Sequence, residues 1–284
     1  MKKFRYLIEY IIIKLFFFIF KLLGVKKSSY FSGKIFSLVG PFFRNKKIII
    51  KNIKQALPNA TNKEIKKIID DMWNFYGKIF AEYPFMKNLR DSDKNIIIEG
   101  KEVLENLKKN KEAVIFISGH FDNFELMAMQ IEKSGVNLAA IYRPLNNIFM
   151  NKIMEKIRKK YICKKQIKKG RLSMRSLISN FKEGSSIALM IDQRVSEGIK
   201  LNFFNRSAYT TTIPAQFVKK FGCKIVPIFI ERINGIKFKL KIFKPINFKN
   251  KNNIYENTLH LNTWLEKMIL NNPSQWIWSH NRWK

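Results

Sequence analysis

The chain has 284 residues, 46% hydrophobic and 26% charged, a composition typical of a globular protein with a sizeable core. Its 54 Lys and Arg residues against 21 Asp and Glu residues give a net charge of +33, which indicates an anionic partner, although many lysines are expected simply to cover solvated faces. Cys163 and Cys223 exclude a disulfide framework and fit no metal-binding spacing, so we expect reduced thiols in a cytosolic compartment.

The first 24 residues are strongly apolar. The run from Tyr10 to Phe20 is interrupted only by Lys14, and Glu9 and Lys21 border it. Three interpretations stay open, namely a short membrane span, an anchor helix in the membrane interface, or a core helix, because a span needs about 20 mostly apolar residues. No small-residue cleavage site follows, which argues against a removed signal peptide.

Basic residues follow this segment closely. They are Lys26, Lys27, Lys34, Arg44, Lys46 and Lys47. By the positive-inside tendency, the rest of the protein is expected to be cytoplasmic, on an N-terminal hydrophobic anchor helix. A second apolar stretch, residues 37–43, is a further candidate for contact with the membrane interface. Residues 62–85 then have helical spacing, with Asn62 as the predicted cap and Pro84 as the stop.

From residue 96 onward, short strands alternate with amphipathic helices. Strands are predicted at 113–118, 137–142, 185–192 and 224–232, and helices at 123–135, 146–161, 171–184, 213–222 and 254–270. Asn234-Gly235 predicts a hairpin turn. The alternation predicts an α/β fold with a mixed, largely parallel central sheet flanked by helices. We therefore divide the chain into residues 1–24 (anchor or interfacial helix), 25–95 (helical membrane-proximal region) and 96–284 (α/β catalytic domain).

His120 is one of three histidines and stands between a predicted strand and a predicted helix, where ligands bind in open α/β sheets. Glu125 follows it by five residues. A histidine beside an orienting carboxylate can remove a proton from a hydroxyl. The structural alternative is that Asp122 caps the helix and Glu125 completes a capping box. From the spacing alone both interpretations stay open.

Other chemistry has weaker support. His260 and His280 are distant in sequence from His120, and no second ligand stands at metal spacing. Ser118 lacks the glycine pattern of a nucleophile elbow. The aromatic pair Phe203 and Phe204 lies in a predicted polar loop, where it is a candidate for an acyl groove or for membrane contact.

Five blocks together resemble the late acyltransferases of lipid A biosynthesis, within the lysophospholipid acyltransferase group. The blocks are His120-Phe-Asp-Asn-Phe-Glu125, YRPLNN (142–147) with an arginine fifteen residues past Arg143, MIDQR (190–194), NFFNRSAYTTT (202–212) and WIWSHNRWK (276–284). The resemblance covers essentially the whole chain. One departure is Asp122, which stands where many members have glycine or an uncharged residue.

The resemblance implies acyl transfer from an acyl-carrier-protein thioester to a hydroxyl of a phosphorylated lipid A precursor of the Kdo-lipid IVA type, at the cytoplasmic face of the inner membrane. His120 would be the general base and Glu125 its orienting partner. Arg158 and Asp192 would serve the oxyanion or position the substrate, and Arg143 would bind the substrate. No metal or cofactor is implied, and no nucleic-acid module is present. The same chemistry on a glycerolipid, an ornithine lipid or another glycolipid is the alternative.

Overall fold

The computed structural model describes residues 2–170 and 172–284. Met1 and Arg171, the first residues of the predicted 1–24 and 171–184 helices, lie outside the described residues. The helices of the described part are α1 Lys2–Val39, α2 Lys46–Ala56, α3 Asn62–Glu82, α4 Met86–Asp91, α5 Lys101–Lys109, α6 Glu125–Lys133, α7 Ile148–Ile157, α8 Ser173–Lys182, α9 Ile213–Phe221 and α10 Ile254–Asn271. The strands are β1 Ile96–Glu99, β2 Ile115–Ser118, β3 Leu138–Tyr142, β4 Lys165–Lys168, β5 Ser186–Met190, β6 Ile199–Phe203, β7 Arg206–Thr210, β8 Ile225–Asn234 and β9 Lys237–Ile242.

Seven strands form the central sheet, in the order β1-β9-β8-β2-β5-β3-β4. Every neighbouring pair is parallel except β8 and β9, which form the hairpin predicted at Asn234-Gly235. All four residues of β2 are buried, because the sheet is covered on both faces and β2 lies in its middle. The predicted α/β class with a largely parallel sheet is therefore confirmed.

The N-terminal helices pack closely against one another before the sheet begins. A Cβ atom on Gly77 of α3 would lie 2.3 Å from the carbonyl oxygen of Ser32 on α1, and the Ser32 hydroxyl donates to the Gly77 carbonyl at 2.7 Å. Only glycine permits this approach. The cap of α3 is Thr61, one residue before the predicted Asn62, and it forms a capping box with Glu64.

Of the three interpretations of the N-terminal segment, a helix that spans the membrane is not supported. Over residues 2–170 and 172–284, no helix has the length and hydrophobicity that crossing a membrane requires. The physical reason lies in α1 itself: Glu9, Lys14 and Lys21 interrupt its apolar residues, and the helix breaks at Gly24, where φ is 75° and ψ is 160°.

Residues 199–210 form a hairpin, β6–β7, where the sequence suggested a polar loop. Phe204 and Asn205 make the turn with positive φ angles of 51° and 56°. Such a turn usually contains glycine, and its absence here is why the sequence did not indicate a hairpin. Phe203 is fully buried and Phe204 is 7% exposed, and both rings contact Trp283. The suggestion that these two residues line a groove or touch a membrane is therefore wrong.

Candidate active site

His120 and Asp192 come together because two neighbouring strands end at the same level. Ser118 at the end of β2 pairs with Met190 at the end of β5, and each functional residue follows two positions later. The backbone N–H of Ile191 donates to the Ser118 carbonyl at 2.9 Å, which continues the pairing beyond the strands. This is the carboxyl edge of the parallel strands, where ligands of open α/β sheets bind.

Asp192 holds the imidazole of His120. Its Oδ1 lies 2.8 Å from Nδ1 of His120, and its Oδ2 accepts the backbone N–H of His120 at 2.8 Å. The indole Nε1 of Trp276 donates to the same Oδ2 at 3.0 Å. Asp192 is fully buried, whereas the His120 side chain is 20% exposed. The carboxylate is thus fixed from three directions and places the His120 proton on Nδ1.

The electrostatics of the pair follow from this contact. Burial lowers the pKa of His120, but the Asp192 carboxylate, with a smaller contribution from Glu125, outweighs it and raises the pKa above its ordinary value of 6.5. Burial raises the pKa of Asp192, but the neighbouring imidazole and its hydrogen bonds bring it below the ordinary 3.8. Each group therefore stabilises the charged form of the other.

Glu125 belongs to a second group of contacts. Its Oε1 accepts Nε of Arg158 at 2.9 Å, Nη2 of the same arginine, and the hydroxyl of Tyr83 at 2.6 Å. The Glu125 and Arg158 side chains are only 7% and 12% exposed. Arg158 also lies over the Tyr142 ring, 5.6 Å from its centroid. The expected hydrogen bond between Glu125 and His120 is therefore absent from the described contacts, and Asp192 supplies it instead.

The loop that carries His120 (the His120 loop) comprises residues 119–124, between β2 and α6. It does not form the predicted capping box, so that interpretation is wrong. Helix α6 begins at Glu125, and its N-cap is Phe124, which makes no side-chain cap. Asp122 instead accepts a hydrogen bond from Nη2 of Arg232 at 2.6 Å. Because Glu125 is committed to Arg158 and Tyr83, it does not bond back to the start of the helix.

The other candidates are placed as follows. Arg143 follows β3 at the same edge of the sheet and is exposed, with no ion pair or hydrogen bond from its side chain among the described residues. The Ser118 hydroxyl donates to the Ile228 carbonyl at 2.6 Å and is buried, which disfavours a nucleophilic role. Burial raises the pKa of both Cys163 and Cys223 to about 12, so these thiols stay protonated near neutral pH.

The C-terminal segment closes one side of the site. Residues 121 and 276 form an isolated bridge, and the side chain of Asn52 donates to the carbonyls of Trp278 and His280 at 2.9 and 2.8 Å. A narrow cleft beside His120 is lined mostly by apolar side chains of α3 and this segment, among them Met72, Phe75, Ile79, Trp276 and Ile277. Over the described residues, no three His, Cys, Asp or Glu side chains converge as a metal ion would require.

Sequence reasoning missed two contributors to the site. Tyr83 follows α3, 42 residues before its partner Glu125, and no motif marked it. Trp276 lies in the C-terminal block that was singled out, but the block alone gives no indication that its indole meets Asp192, 84 residues earlier.

Comparison with known proteins identifies the family of the chain. The chain matches the family described as bacterial lipid A biosynthesis acyltransferase over residues 1–284. It is 22% identical over 259 residues to the lipid A biosynthesis palmitoleoyltransferase of Escherichia coli K12. The aligned residues cover 88% of this chain and 83% of that protein. The lipid A biosynthesis acyltransferase of Shigella flexneri matches with the same identity and coverage. The chain therefore belongs to the bacterial lipid A biosynthesis acyltransferase family and is an acyltransferase acting in lipid A synthesis.

Proposed function

We propose that the protein transfers a fatty acyl chain from an acyl-carrier-protein thioester to a hydroxyl of a lipid A precursor of the Kdo-lipid IVA type, with His120 as the general base. One observation carries the proposal. Nδ1 of His120 is held by Asp192 at 2.8 Å, and Nε2 makes no hydrogen bond among the described residues. A ring fixed at one nitrogen and open at the other is the arrangement that proton abstraction requires.

The reaction then proceeds in two steps. The acceptor oxygen attacks the thioester carbonyl carbon while its proton moves to Nε2 of His120, and Asp192 stabilises the resulting imidazolium. The tetrahedral intermediate collapses by breaking the carbon–sulfur bond, and the leaving thiolate takes the proton back from Nε2. Positioned proton transfer of this kind contributes typically about 10² to 10⁴ in rate.

Arg158 is the proposed donor to the oxyanion. Its Nε and Nη2 hold Glu125, and Nη1 makes no hydrogen bond among the described residues. Glu125 fixes the guanidinium and adds negative charge near His120, which is its proposed catalytic contribution. One well-placed donor to an oxyanion contributes about 3 kcal/mol.

The charge distribution supports the proposed partners. A net charge of +33 attracts an acidic carrier protein and a phosphorylated acceptor. Arg143 is exposed at the carboxyl edge of the sheet, and a guanidinium there can bind a sugar phosphate through two parallel hydrogen bonds.

Contact with the cytoplasmic face of the inner membrane is the proposed role of α1 and the turn that follows it. Large apolar side chains lie exposed there, among them Phe4 at 69%, Leu22 at 72%, Leu38 at 74%, Phe42 at 89% and Phe43 at 68%. Exposed apolar side chains along a helix that also carries lysines are typical of a helix that lies in the membrane interface.

Mass spectrometry of a purified reaction tests the proposed transfer. Wild-type protein is incubated with acyl-carrier-protein thioester and a tetra-acylated, phosphorylated glucosamine disaccharide lipid. We expect the acceptor to gain the mass of one acyl chain, and His120→Ala to abolish that gain. Parallel reactions supply a glycerolipid or an ornithine lipid as the acceptor, and acylation of one of these but not of the disaccharide would contradict the proposed acceptor.

Vesicle flotation tests the membrane contact. We expect Phe42→Ser/Phe43→Ser to reduce binding to vesicles that contain anionic lipids. Ile97→Ser is the matched control, because Ile97 is also an exposed apolar residue, at 58%, but lies on β1 at the edge of the sheet. Equal binding of both variants and wild type would contradict this role for the turn.

A further inference from the structure

A buried cluster of three charged side chains lies behind the His120 loop and takes no part in the mechanism above. It consists of Glu82 at the end of α3, Asp122 in the loop and Arg232 on β8. Their side chains are 0%, 0% and 2% exposed. Burying three charges is costly unless every polar atom is paired, so the cluster calls for a physical reason.

Arg232 uses all five of its N–H groups. Nε and Nη2 donate to the two oxygens of Asp122 at 3.0 and 2.6 Å, and Nη1 and Nη2 donate to the two oxygens of Glu82 at 2.6 and 3.1 Å. The remaining N–H of Nη1 donates to the Gly235 carbonyl at 2.7 Å. The guanidinium therefore fixes both the position and the orientation of Asp122, as only a planar, five-donor group can.

Asp122 has a backbone conformation that needs support. Its φ is +31°, in the region that residues other than glycine rarely adopt. Its backbone N–H donates to the Gln275 carbonyl at 2.9 Å, and its Oδ1 accepts the N–H of Asn123 at 2.6 Å. Such a strained residue persists only when its surroundings determine it, and here Arg232 supplies two of the three hydrogen bonds to the Asp122 side chain.

The cluster also connects the N-terminal helices to the loop. Ser29 of α1 donates to Glu82 at 2.8 Å, and Asn123 donates to the other oxygen of Glu82 at 2.8 Å. The loop is thus held on one side by Arg232 and Glu82. On the other side Asp192 binds the backbone and ring of His120, two residues before Asp122.

We infer that Arg232 and Asp122 are positioning residues for the acyl transfer: they hold the His120 loop so that the imidazole meets Asp192. The inference rests on the proposed function for its kinetic part only. Neither residue touches the reacting atoms. A loop displaced by about 1 Å lengthens the contact between His120 and Asp192 and costs on the order of 10²-fold in rate.

Asp122→Asn is the decisive variant, because it should fold. Asparagine tolerates positive φ, and the cluster with one arginine and two carboxylates carries a formal charge of −1 that the change removes. Burial also raises the pKa of Asp122, which means that its charge is unfavourable in the folded state. The N–H₂ group of the introduced amide would, however, face the N–H groups of Arg232, so one of the two hydrogen bonds is lost.

The measurement is a titration of His120 by NMR, which needs no substrate. The chain has three histidines, and His120→Ala assigns the signal. The charged groups that influence His120 are Asp192, Glu125 and Arg158, with His280 nearby. Weakening the Asp192 contact removes support for the imidazolium, so we expect Asp122→Asn to lower the pKa of His120 by about half a pH unit or more. We also expect kcat to fall about 10-fold with KM unchanged.

Arg90→Lys is the matched control. Arg90 also forms a partly buried ion pair, with Glu132, but that pair lies between α4 and α6 and does not contact the loop. It should leave both the His120 titration and kcat unchanged. Arg232→Lys is the second variant of the cluster, since lysine keeps the charge but cannot bind both carboxylates in pairs.

A wild-type His120 titration and wild-type kcat in Asp122→Asn or in Arg232→Lys would overturn the inference. If the wild-type protein transfers no acyl group, the proposed function fails by itself. The titration still decides then whether the cluster positions His120.

Discussion

The two arginine–carboxylate clusters around the His120 loop differ in how many of the arginine N–H groups have a hydrogen-bond acceptor. Arg232 is 2% exposed, and each of its five N–H groups meets an acceptor. Arg158 is 12% exposed and donates from Nε and Nη2 to Glu125, whereas its Nη1 has no partner among the described residues. A saturated guanidinium can only fix the protein, whereas an unsaturated one at the edge of the site can also bind substrate.

The contrast between Arg232 and Arg158 requires that Arg232 stabilise the fold. We expect Arg232→Met to lower the free energy of unfolding by about 3 to 5 kcal/mol, because it leaves the carboxylates of Glu82 and Asp122 buried without a cation. Urea denaturation followed by circular dichroism measures this loss. A loss below about 1 kcal/mol would show that the cluster is not held by its charges.

Arg158 should show its largest effect in catalysis. We expect Arg158→Met to lower kcat/KM by about 10²- to 10³-fold, since it removes the proposed oxyanion donor. Steady-state kinetics with acyl-carrier-protein thioester as donor measure the change. A variant with near wild-type kcat/KM would place Arg158 with Arg232, as a group that fixes the protein and does nothing further.

The pH dependence sharpens the role of the imidazole. The raised pKa of His120 predicts that kcat/KM falls with decreasing pH around a midpoint above 6.5, because the base must be neutral. The contributions of His120 and Asp192 to the free energy of unfolding change with pH in opposite directions. The His120 contribution is fully present below its unfolded pKa and is lost as pH rises through the higher folded value. The Asp192 contribution is present above its unfolded pKa of about 3.8 and is lost as pH falls through the lower folded value. A kinetic midpoint below 6.5 would contradict this coupling.

Tyr83 should give the smallest effect. Its hydroxyl donates to Glu125 at 2.6 Å, and one such bond contributes about 1 kcal/mol, so we expect Tyr83→Phe to lower kcat/KM about 5-fold. Tyr161→Phe is the control, since the Tyr161 hydroxyl makes no hydrogen bond among the described residues although its backbone carbonyl accepts Arg90. Equal rates for the two variants would remove Tyr83 from the site.

Strands β2, β3, β5 and β8 and the position of His120 just after β2 were predictable, because short apolar runs mark these strands. The order of strands in the sheet, and the short strands β1 and β4, were not predicted. The partner of His120 was not, since Asp192 lies 72 residues away and Glu125, five residues away, is the nearer candidate in sequence. The Glu82–Arg232–Asp122 cluster depends on three separate elements, and nothing local in the sequence indicates it. The β6–β7 hairpin was missed because Phe204 and Asn205 make a turn that usually contains glycine.

The most direct test of the central claim is the acyl-transfer rate of Asp192→Asn at saturating donor and acceptor. The account predicts a fall in kcat of at least about 10²-fold in a folded protein, because asparagine neither fixes the same tautomer of His120 nor stabilises its imidazolium. A variant that transfers acyl chains within a few-fold of the wild-type rate would contradict the assignment of Asp192 as the partner of the catalytic base.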